Sequence, residues 1–235
     1  MPVFFQPTIG QESVLSEDES RHAVKVLRMK AGDPLEIADG AGGWYRAEIS
    51  RADARRCEVC MLSTEHTLPR PFRIHLALAP TKNLDRMEWM LEKCVEIGVD
   101  EISFLETRFS ERRSLKMERL RQIAISALKQ SRQPWLPTLR ELRRWGDFLT
   151  TLSPTPLGEQ RFIAHLDESE RKLLIRHAMP GFSYIILVGP EGDFSNEEIN
   201  QAQAAGFGAV SLGPSRLRTE TAGLVAVHTL NLINL

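Results

Sequence analysis

The most constraining feature of the sequence is a short apolar run that leads directly into a Gly-Pro loop. Tyr184 to Val188 (YIILV) reads as a buried strand, and the loop GPEGD at residues 189–193 follows it. Ser195 and Glu198 then have the S-x-x-E spacing of a capping box, so a helix is predicted to begin there. A strand that delivers glycines onto a helix is typical of α/β domains that hold a nucleotide-like ligand.

The residues from Phe72 onward repeat this alternation of strand and helix patterns. Helical spacing predicts one helix that ends at Gly98 and a second around Leu120 to Leu128. Strands alternating with helices imply a mainly parallel sheet that is covered on both faces, which is an α/β fold. The predicted strands are residues 73–79, 101–105, 161–165, 184–188 and 209–212.

The first part of the chain has shorter, alternating segments separated by turn signals, which predicts a small β-barrel or sandwich. One helical piece, Glu17 to Leu27, interrupts it, with Ala23, Val26 and Leu27 expected on one side. The prolines of residues 68–71 (LPRP) predict a linker, so we expect domains at residues 1–70 and 71–235. The predicted strands are residues 3–5, 34–39, 44–50 and 56–62.

Composition narrows the protein class further. None of the apolar runs in the 235 residues approaches the roughly 20 needed to cross a bilayer, and the first ten residues lack a signal-peptide pattern, so a cytoplasmic protein with no membrane contact is expected. Three cysteines are too few for a disulfide framework. Cys57 and Cys60 have zinc spacing but no second ligand pair, so no metal site is predicted.

Charge is distributed unevenly along the chain. Residues 107–146 carry eleven Lys or Arg against three acids, a net charge of +8, although the whole chain has a net charge of −1. This basic island predicts a polyanion-binding surface, because phosphate contacts dominate affinity for nucleic acids. The alternative is a solvated helix face, but the imbalance is too one-sided for a surface held by salt bridges and favours nucleic acid.

The loop at residues 189–193 fits neither the Rossmann nor the Walker pattern, so a dinucleotide or triphosphate is poorly supported. Its proline and glutamate suit a ligand that is cationic or that is read through backbone contacts to a base. S-adenosylmethionine has both properties, a sulfonium and an adenine. A second Gly-Pro loop, within SLGPSRLRTETAG at residues 211–223, also follows a strand and precedes a helix, so the two loops could converge on one ligand.

Five groups of residues then resemble one known family. They are HAVKVLRMKAGD (22–33) with ADGAGGWYRAEI (38–49), KNLDRMEWMLEKCVEIGV (82–99), SERRS (110–114) with KQSRQPWLP (129–137), LVGPEGDFSNEE (187–198) and SLGPSRLRTETA (211–222). In this order, over nearly the whole chain, they resemble the ribosomal RNA small subunit methyltransferase E family of the SPOUT superfamily. That family methylates N3 of a uridine in 16S rRNA.

The resemblance implies a C-terminal SPOUT domain with a deep trefoil knot, a PUA-like N-terminal barrel that helps to grip RNA, and a homodimer. The sequence departs from the family pattern at Asp193, where a second consecutive glycine is common, and at Ser215 to Leu217, where Arg-Ile-Leu is common. Carried over by position, the resemblance assigns S-adenosylmethionine binding to Leu187, Gly189, Pro190, Glu191, Gly192, Leu212, Gly213, Leu217, Arg218 and Thr219.

For catalysis, the expected residues are Arg218, which would stabilise the uracil oxygen that becomes negative, and Glu220 or Glu191, which would accept the proton or orient the base. The alternatives are a structural ion pair for Arg218 and a helix-dipole contact for Glu220. Ribose 2′-O methylation and non-catalytic RNA binding remain competing functions. The residues expected to contact 16S rRNA in the small ribosomal subunit are His22, Arg28, Arg112, Arg113, Lys129 and Arg132. For His22 the alternative is a partly buried histidine whose hydrogen bonds are satisfied within the protein.

Overall fold

Two β-sheets organise the described part of the chain, residues 1–165 and 172–235 of a computed structural model. One sheet has four strands and the other has six. The contacts within the chain divide it into two units. The first unit comprises residues 1–69 with 125–136, and the second comprises residues 70–124 with 137–235.

The first unit is built on the four-stranded sheet in the order β1-β2-β3-β4. Strand β1 pairs with β2 in parallel, and the other two pairings are antiparallel. Phe4, Leu35, Ile37 and Ile49 fill its core, as expected for strands with one buried face. All four predicted strands are confirmed. They are β1 (Val3–Phe5), β2 (Pro34–Ala38), β3 (Gly43–Arg51) and β4 (Glu58–His66).

The predicted helix over residues 17–27 forms, but its expected apolar side is partly wrong. Helix α1 (Glu17–Arg21) continues into a π-helical turn, His22–Val26, in which the Leu27 amide donates to the His22 carbonyl at 3.0 Å. Ala23 is buried as expected, but Val26 is 64% exposed and Leu27 is 43% exposed. The wider π turn changes the angular spacing of the side chains, so residues placed on one face by a 3.6-residue period turn away from it.

The second unit contains a fully parallel sheet in the order β10-β8-β9-β5-β6-β7, which confirms the predicted α/β class. The five predicted strands of this unit form, whereas strand β7 and helix α4 were not anticipated. Its elements are β5 (Ile74–Leu78), α2 (Leu84–Ile97), β6 (Glu101–Glu106), α3 (Met117–Ser131, which extends into the first unit), β7 (Thr138–Arg144), α4 (Trp145–Thr150), β8 (Glu159–Ala164), α5 (Leu174–His177), β9 (Ser183–Val188), α6 (Asn196–Ala204), β10 (Gly208–Val210) and α7 (Thr219–Ile233).

Helices cover both faces of this sheet. On one face, Ala77 and Leu187 join a core cluster with Trp145 of α4 and Phe194 just before α6. On the other face, Gly223 of α7 lies so close to Met90 of α2 that an added Cβ would stand 2.9 Å from the Met90 sulfur. The sheet is therefore rigidly held between helices, and its strand ends are free to position loops.

Two further expectations concern topology and the membrane. Within residues 1–165 and 172–235, no helix combines the length and apolar character needed to span a bilayer. The parallel sheet agrees with the predicted fold class, and the trefoil knot implied by the family resemblance stays a prediction.

Candidate functional site

A cavity of about 320 Å³ opens at the carboxyl ends of three neighbouring strands. Strands β8, β9 and β10 end at Ala164, Val188 and Val210, and all three residues line the cavity. The strands are parallel and adjacent in the order β10-β8-β9, so their carboxyl ends meet at one edge of the sheet. Ligands bind at this edge in open α/β sheets because the loops that follow the strands converge there.

Two Gly-Pro loops form the facing walls of the cavity. The first loop, residues 189–195, follows β9, and the second loop, residues 211–218, follows β10. A direct hydrogen bond joins them, since the Thr219 hydroxyl at the start of α7 donates to the Gly189 carbonyl at 2.9 Å. Thr219 is buried, so this bond is shielded from water. The loops predicted to converge are therefore held side by side.

The first loop is shaped by its own hydrogen bonds. The Asp193 amide donates to the Pro190 carbonyl at 2.9 Å and closes a turn, and Asp193 has a positive φ of 63°. Its carboxylate accepts the Phe194 amide at 2.8 Å. Asp tolerates the left-handed conformation better than most residues because its side chain bonds locally. This explains how Asp193 stands where the resembling family commonly has glycine.

The predicted capping box fixes the end of the first loop. The Ser195 hydroxyl accepts the Glu198 amide, and the Glu198 carboxylate accepts the Ser195 amide at 2.8 Å. The other Glu198 oxygen accepts the Arg108 amide at 2.8 Å, so the carboxylate is fully engaged although it is only 6% exposed. A buried carboxylate with three or more amide and hydroxyl donors is a strong local anchor.

The second loop is more open. The Ser211 hydroxyl contacts both the Gly213 carbonyl and the Gly213 amide, which bends the chain just after β10. Gly213 has φ 147°, and a Cβ built there would meet no atom within 4 Å. Arg216 and Arg218 both line the cavity and are exposed. Arg218 is the N-cap residue of α7, so the helix fixes its backbone at the cavity rim.

Most residues assigned to the cofactor by resemblance lie around this cavity: Gly189, Pro190, Glu191, Leu212, Gly213, Leu217, Arg218 and Thr219. Leu187 and Gly192 do not line it. Leu187 is fully buried in the core cluster, because alternate strand residues face opposite sides of the sheet. Gly192 faces Phe109 instead, whose Cβ would lie 3.1 Å from an added Cβ.

Sequence reasoning missed several lining residues. The strand-end residues could have been recognised only if the strand order were known, because nothing in a strand's own pattern identifies its neighbours. Thr219 was assigned, but its bond to Gly189 has no sequence signal. The lining residues that were not predicted are Ala164, His165, Val188, Asp193, Val210, Ser211, Ser215, Arg216 and Ala222.

The two candidate proton acceptors have different surroundings. Glu191 is exposed and lines the cavity, and one of its carboxylate oxygens accepts the Lys82 amide at 3.4 Å. Glu220 is only 6% exposed, lies outside the cavity lining and faces the Arg86 guanidinium at 3.6 Å. Glu191 can therefore reach a ligand in the cavity, whereas Glu220 is placed to hold the start of α7.

Two of the predicted RNA contacts belong to the second unit. Arg113 is 80% exposed and forms an ion pair with Glu106 at 3.6 Å. Arg112 donates from Nη2 to the Lys82 carbonyl at 2.6 Å, and its buried Nε has no hydrogen-bond partner in the described structure. Lys82 also pairs with Glu111 at 3.0 Å. Arg112 is thus connected through Lys82 to Glu191 at the cavity.

The other predicted RNA contacts belong to the first unit. Lys129 forms an ion pair with Glu19 at 2.8 Å. Arg132 bonds Glu36 at 2.6 Å, and its guanidinium lies 5.1 Å from the centre of the Trp44 ring. Lys129 and Arg132 are therefore already engaged by carboxylates. The remaining two, His22 and Arg28, are both exposed, and Arg28 has a positive φ of 56°.

The expectation that the basic island lacks ion-pair partners is wrong in part. The partners come from acids far away in the sequence, which a count within residues 107–146 does not include. Examples are Arg119 with Glu88 and Arg140 with Glu101. Within the part of the chain that the structure describes, some basic residues of the island therefore form ion pairs and others do not.

The two cysteines with zinc spacing lie in different surroundings, since Cys57 is buried and Cys60 is exposed. Across residues 1–165 and 172–235, no group of His, Cys, Asp and Glu side chains is arranged to hold a metal ion.

Comparison with known sequences identifies a family for most of the chain. Residues 68–231 match the family described as the RNA methyltransferase domain, and residues 15–59 match the RNA methyltransferase PUA domain. A relative from Buchnera aphidicola subsp. Acyrthosiphon pisum, named "Ribosomal RNA small subunit methyltransferase E", is 31% identical over 91% of this chain and 85% of its own. A protein of the same name from Rickettsia conorii is 29% identical over 93% of this chain and 89% of its own.

Solved structures give the same result. A probable rRNA-methyltransferase from Porphyromonas gingivalis has 47% identity and a TM-score of 0.89, with 99% of each chain covered. A ribosomal RNA small subunit methyltransferase E from Neisseria gonorrhoeae, bound to S-adenosyl methionine, has 30% identity and a TM-score of 0.86. That match covers 100% of this chain and 98% of the other.

Proposed function

We propose, from the premise that this chain belongs to the RNA methyltransferase family, that it transfers a methyl group from S-adenosylmethionine to N3 of a uridine in 16S rRNA. The observation that carries the proposal is the bond between Thr219 and Gly189, which joins the two loops into one cavity with Arg218 at its rim. The names of the relatives support the choice of small-subunit ribosomal RNA.

The cavity lining fits S-adenosylmethionine. Val188, Val210 and Leu212 offer apolar surface for an adenine. Gly189 and Gly213 have no side chain, so their backbone groups are accessible for hydrogen bonds to the edge of the adenine ring. The carboxylates of Glu191 and Asp193 and the guanidiniums of Arg216 and Arg218 supply both charge signs for a cofactor that carries a sulfonium, an ammonium and a carboxylate. Its volume of about 320 Å³ lies in the usual range for small-molecule sites.

S-adenosylmethionine supplies an electrophilic methyl group when it is bound. The protein must then align the uridine N3 behind that methyl group and stabilise the charge that develops on the uracil oxygens. Arg218 is suited to the second task because it is exposed, lies at the rim and has its backbone fixed at the start of α7. In the described structure its guanidinium forms no ion pair that would have to be broken first.

The uridine imide proton also has to leave. We infer that Glu191, rather than Glu220, accepts it or orients the base, because only Glu191 lines the cavity. The Glu191 carboxylate accepts an amide from Lys82, which limits its rotation and keeps it near the rim. Glu220 is assigned a structural role at the Arg86 ion pair.

The proposal includes three further points. The protein acts on the small ribosomal subunit in the cytoplasm, it works as a homodimer, and the first unit contributes RNA contacts at His22 and Arg28. The third point is supported by the exposure of His22 and Arg28 and by the match to the RNA methyltransferase PUA domain.

The test is incubation of the protein with labelled S-adenosylmethionine and unmethylated 30S particles, followed by nucleoside analysis of the 16S rRNA. The expected result is label in 3-methyluridine at a single site. Label in a 2′-O-methylated nucleoside would replace the proposed regiospecificity by ribose methylation. A lack of calorimetric heat with S-adenosylmethionine, together with intact RNA binding, would indicate a non-catalytic RNA-binding protein.

A further inference from the structure

A second cleft lies beside the cofactor cavity in the same unit. It has a volume of about 470 Å³ and is formed by the residues that follow β6, the start of α4 and the start of α6. Strands β6 and β7 run parallel to the rest of the sheet, so the cleft opens at the same carboxyl edge as the cavity. Asp193 lines the cavity and Ser195 lines the cleft, which places the two sites on either side of the first loop.

We propose that this cleft binds the phosphodiester backbone of the substrate RNA close to the target nucleotide, through Arg108 and Arg144. The inference rests on the proposed function for its choice of RNA, and it selects two arginines of the basic island that the sequence did not single out. Both arginines line the cleft and both are exposed. Unlike Arg113, Arg119 and Arg140, they form no ion pair within the described residues.

Three carboxylates also line the cleft, and two of them are engaged with groups other than the guanidiniums of Arg108 and Arg144. Glu198 accepts the Ser195 amide and hydroxyl and the Arg108 amide, and it forms no ion pair with the arginine side chains within the described residues. Glu106 faces Arg113 at 3.6 Å. Glu197 also lines the cleft and is exposed, and its carboxylate forms no ion pair within residues 1–165 and 172–235. Removal of Glu197 should therefore make the cleft more attractive to an anion.

The aromatic residue of the cleft favours a phosphate over a base. Trp145 is only 6% exposed, and its indole nitrogen donates to Gln201 at 2.8 Å. Its ring packs against Phe194 with the ring centres 5.3 Å apart. A buried ring cannot serve as a stacking platform for a base, so the groups of the cleft that can bind an anion are the guanidiniums of Arg108 and Arg144. Arginine forks match the geometry of phosphate oxygens.

The experiment compares charge-neutral variants by titration of unmethylated 30S particles at several salt concentrations. Arg108→Gln with Arg144→Gln should lower the affinity at least about tenfold and reduce the slope of log K against log salt by about 2, since each phosphate contact contributes about 1. The matched control, Lys116→Gln with Arg121→Gln, removes two exposed charges outside the cleft lining that form no ion pair within residues 1–165 and 172–235. It should lower affinity less than about threefold.

Two further variants separate binding from folding. Arg108→Lys with Arg144→Lys keeps the charges and should retain most of the affinity. Glu197→Gln should tighten RNA binding by about two- to fivefold, a gain that a damaged fold does not produce. Calorimetric affinity for S-adenosylmethionine should be the same in every variant.

Wild-type affinity and salt slope in the Arg108→Gln, Arg144→Gln protein would overturn the cleft assignment. An equal loss in the Lys116→Gln, Arg121→Gln control would also overturn it, because the effect would then be a general charge effect. Wild-type protein that binds 30S particles but methylates nothing would overturn the proposed function instead, and the binding comparison would still decide the cleft.

Discussion

The two Gly-Pro loops share a sequence pattern but differ in how they are held. Residues 189–195 are closed by an internal turn and a capping box, with Pro190 and Phe194 buried. Residues 211–218 are anchored near their two ends, by the bridge from Ser211 to Leu173 and by the bond from Thr219 to Gly189. Between those anchors, residues 214–216 are exposed.

This difference shows that a Gly-Pro pair after a strand predicts where a loop lies but not how rigid it is. The first loop obtains its rigidity from the residues that follow it, Ser195 and Glu198, which the sequence does reveal. The second loop depends on a bond to the first. The first loop is therefore suited to be a preformed wall, and the second is suited to present an arginine to a reacting base.

The largest test of this division is Arg218→Ala. In the proposed mechanism Arg218 stabilises developing charge, so its loss should lower the rate of methyl transfer by about 10²–10³-fold, while calorimetric affinity for S-adenosylmethionine stays within a few-fold. Arg216→Ala removes the other arginine of the open loop. It should lower the rate of methyl transfer less than about tenfold, since the backbone of Arg216 is not fixed by α7. Equal losses in the two variants would mean that the loop presents general positive charge only.

The next test addresses the closed loop. Glu198→Ala removes the acceptor for Ser195 and Arg108 and should lower the free energy of unfolding by about 2–3 kcal/mol, because buried donors lose their partner. Glu197→Ala, one residue away and exposed, should cost less than about 1 kcal/mol. Urea unfolding of both proteins measures the difference. Similar values for the two would remove the capping box as the source of rigidity.

The link between the loops is tested by Thr219→Val. The substitution keeps the shape of the side chain but leaves the Gly189 carbonyl without its donor. The free energy of unfolding should therefore fall by about 1–2 kcal/mol. We also expect about a three- to tenfold loss of affinity for S-adenosylmethionine, because one wall of the cavity is released. Thr221→Val makes the same change at a position of α7 without a hydroxyl bond in the described structure. Unchanged cofactor affinity in Thr219→Val would argue against a linked pair of loops.

The sequence predicted local elements well because their signals are local. Periodicity identified β9 and α2, and the spacing of Ser195 and Glu198 located the start of α6. Prediction from the sequence failed where the position of a segment in the folded structure determines its pattern of polar and apolar residues. Strand β7 (TLRELRR) lies at the sheet edge with half-exposed leucines, so its pattern is dominated by arginines and reads as a charged segment.

The same limit applies to the site. Period-two alternation implies that Leu187 and Val188 face opposite sides, but strand order decides which of them borders the cavity. The charge island was visible in the sequence, whereas its division into paired and unpaired arginines depends on acids such as Glu88 and Glu101, which are distant in the chain. Sequence thus identified the loops and the island, and the fold determines which of their residues are available.

The smallest expected effect concerns Asp193, where the closed loop departs from the glycine common in the resembling family. Asp193→Ala keeps the left-handed backbone at φ 63° but loses the bond to the Phe194 amide, so stability should fall by about 1 kcal/mol. Asp193→Gly loses the same bond but relieves the backbone strain, so it should stay within about 0.5 kcal/mol of wild type. Thermal unfolding of the two variants gives the comparison. If alanine proved as stable as glycine, backbone strain would have no part in shaping the loop, and its rigidity would come from the Ser195 and Glu198 cap alone.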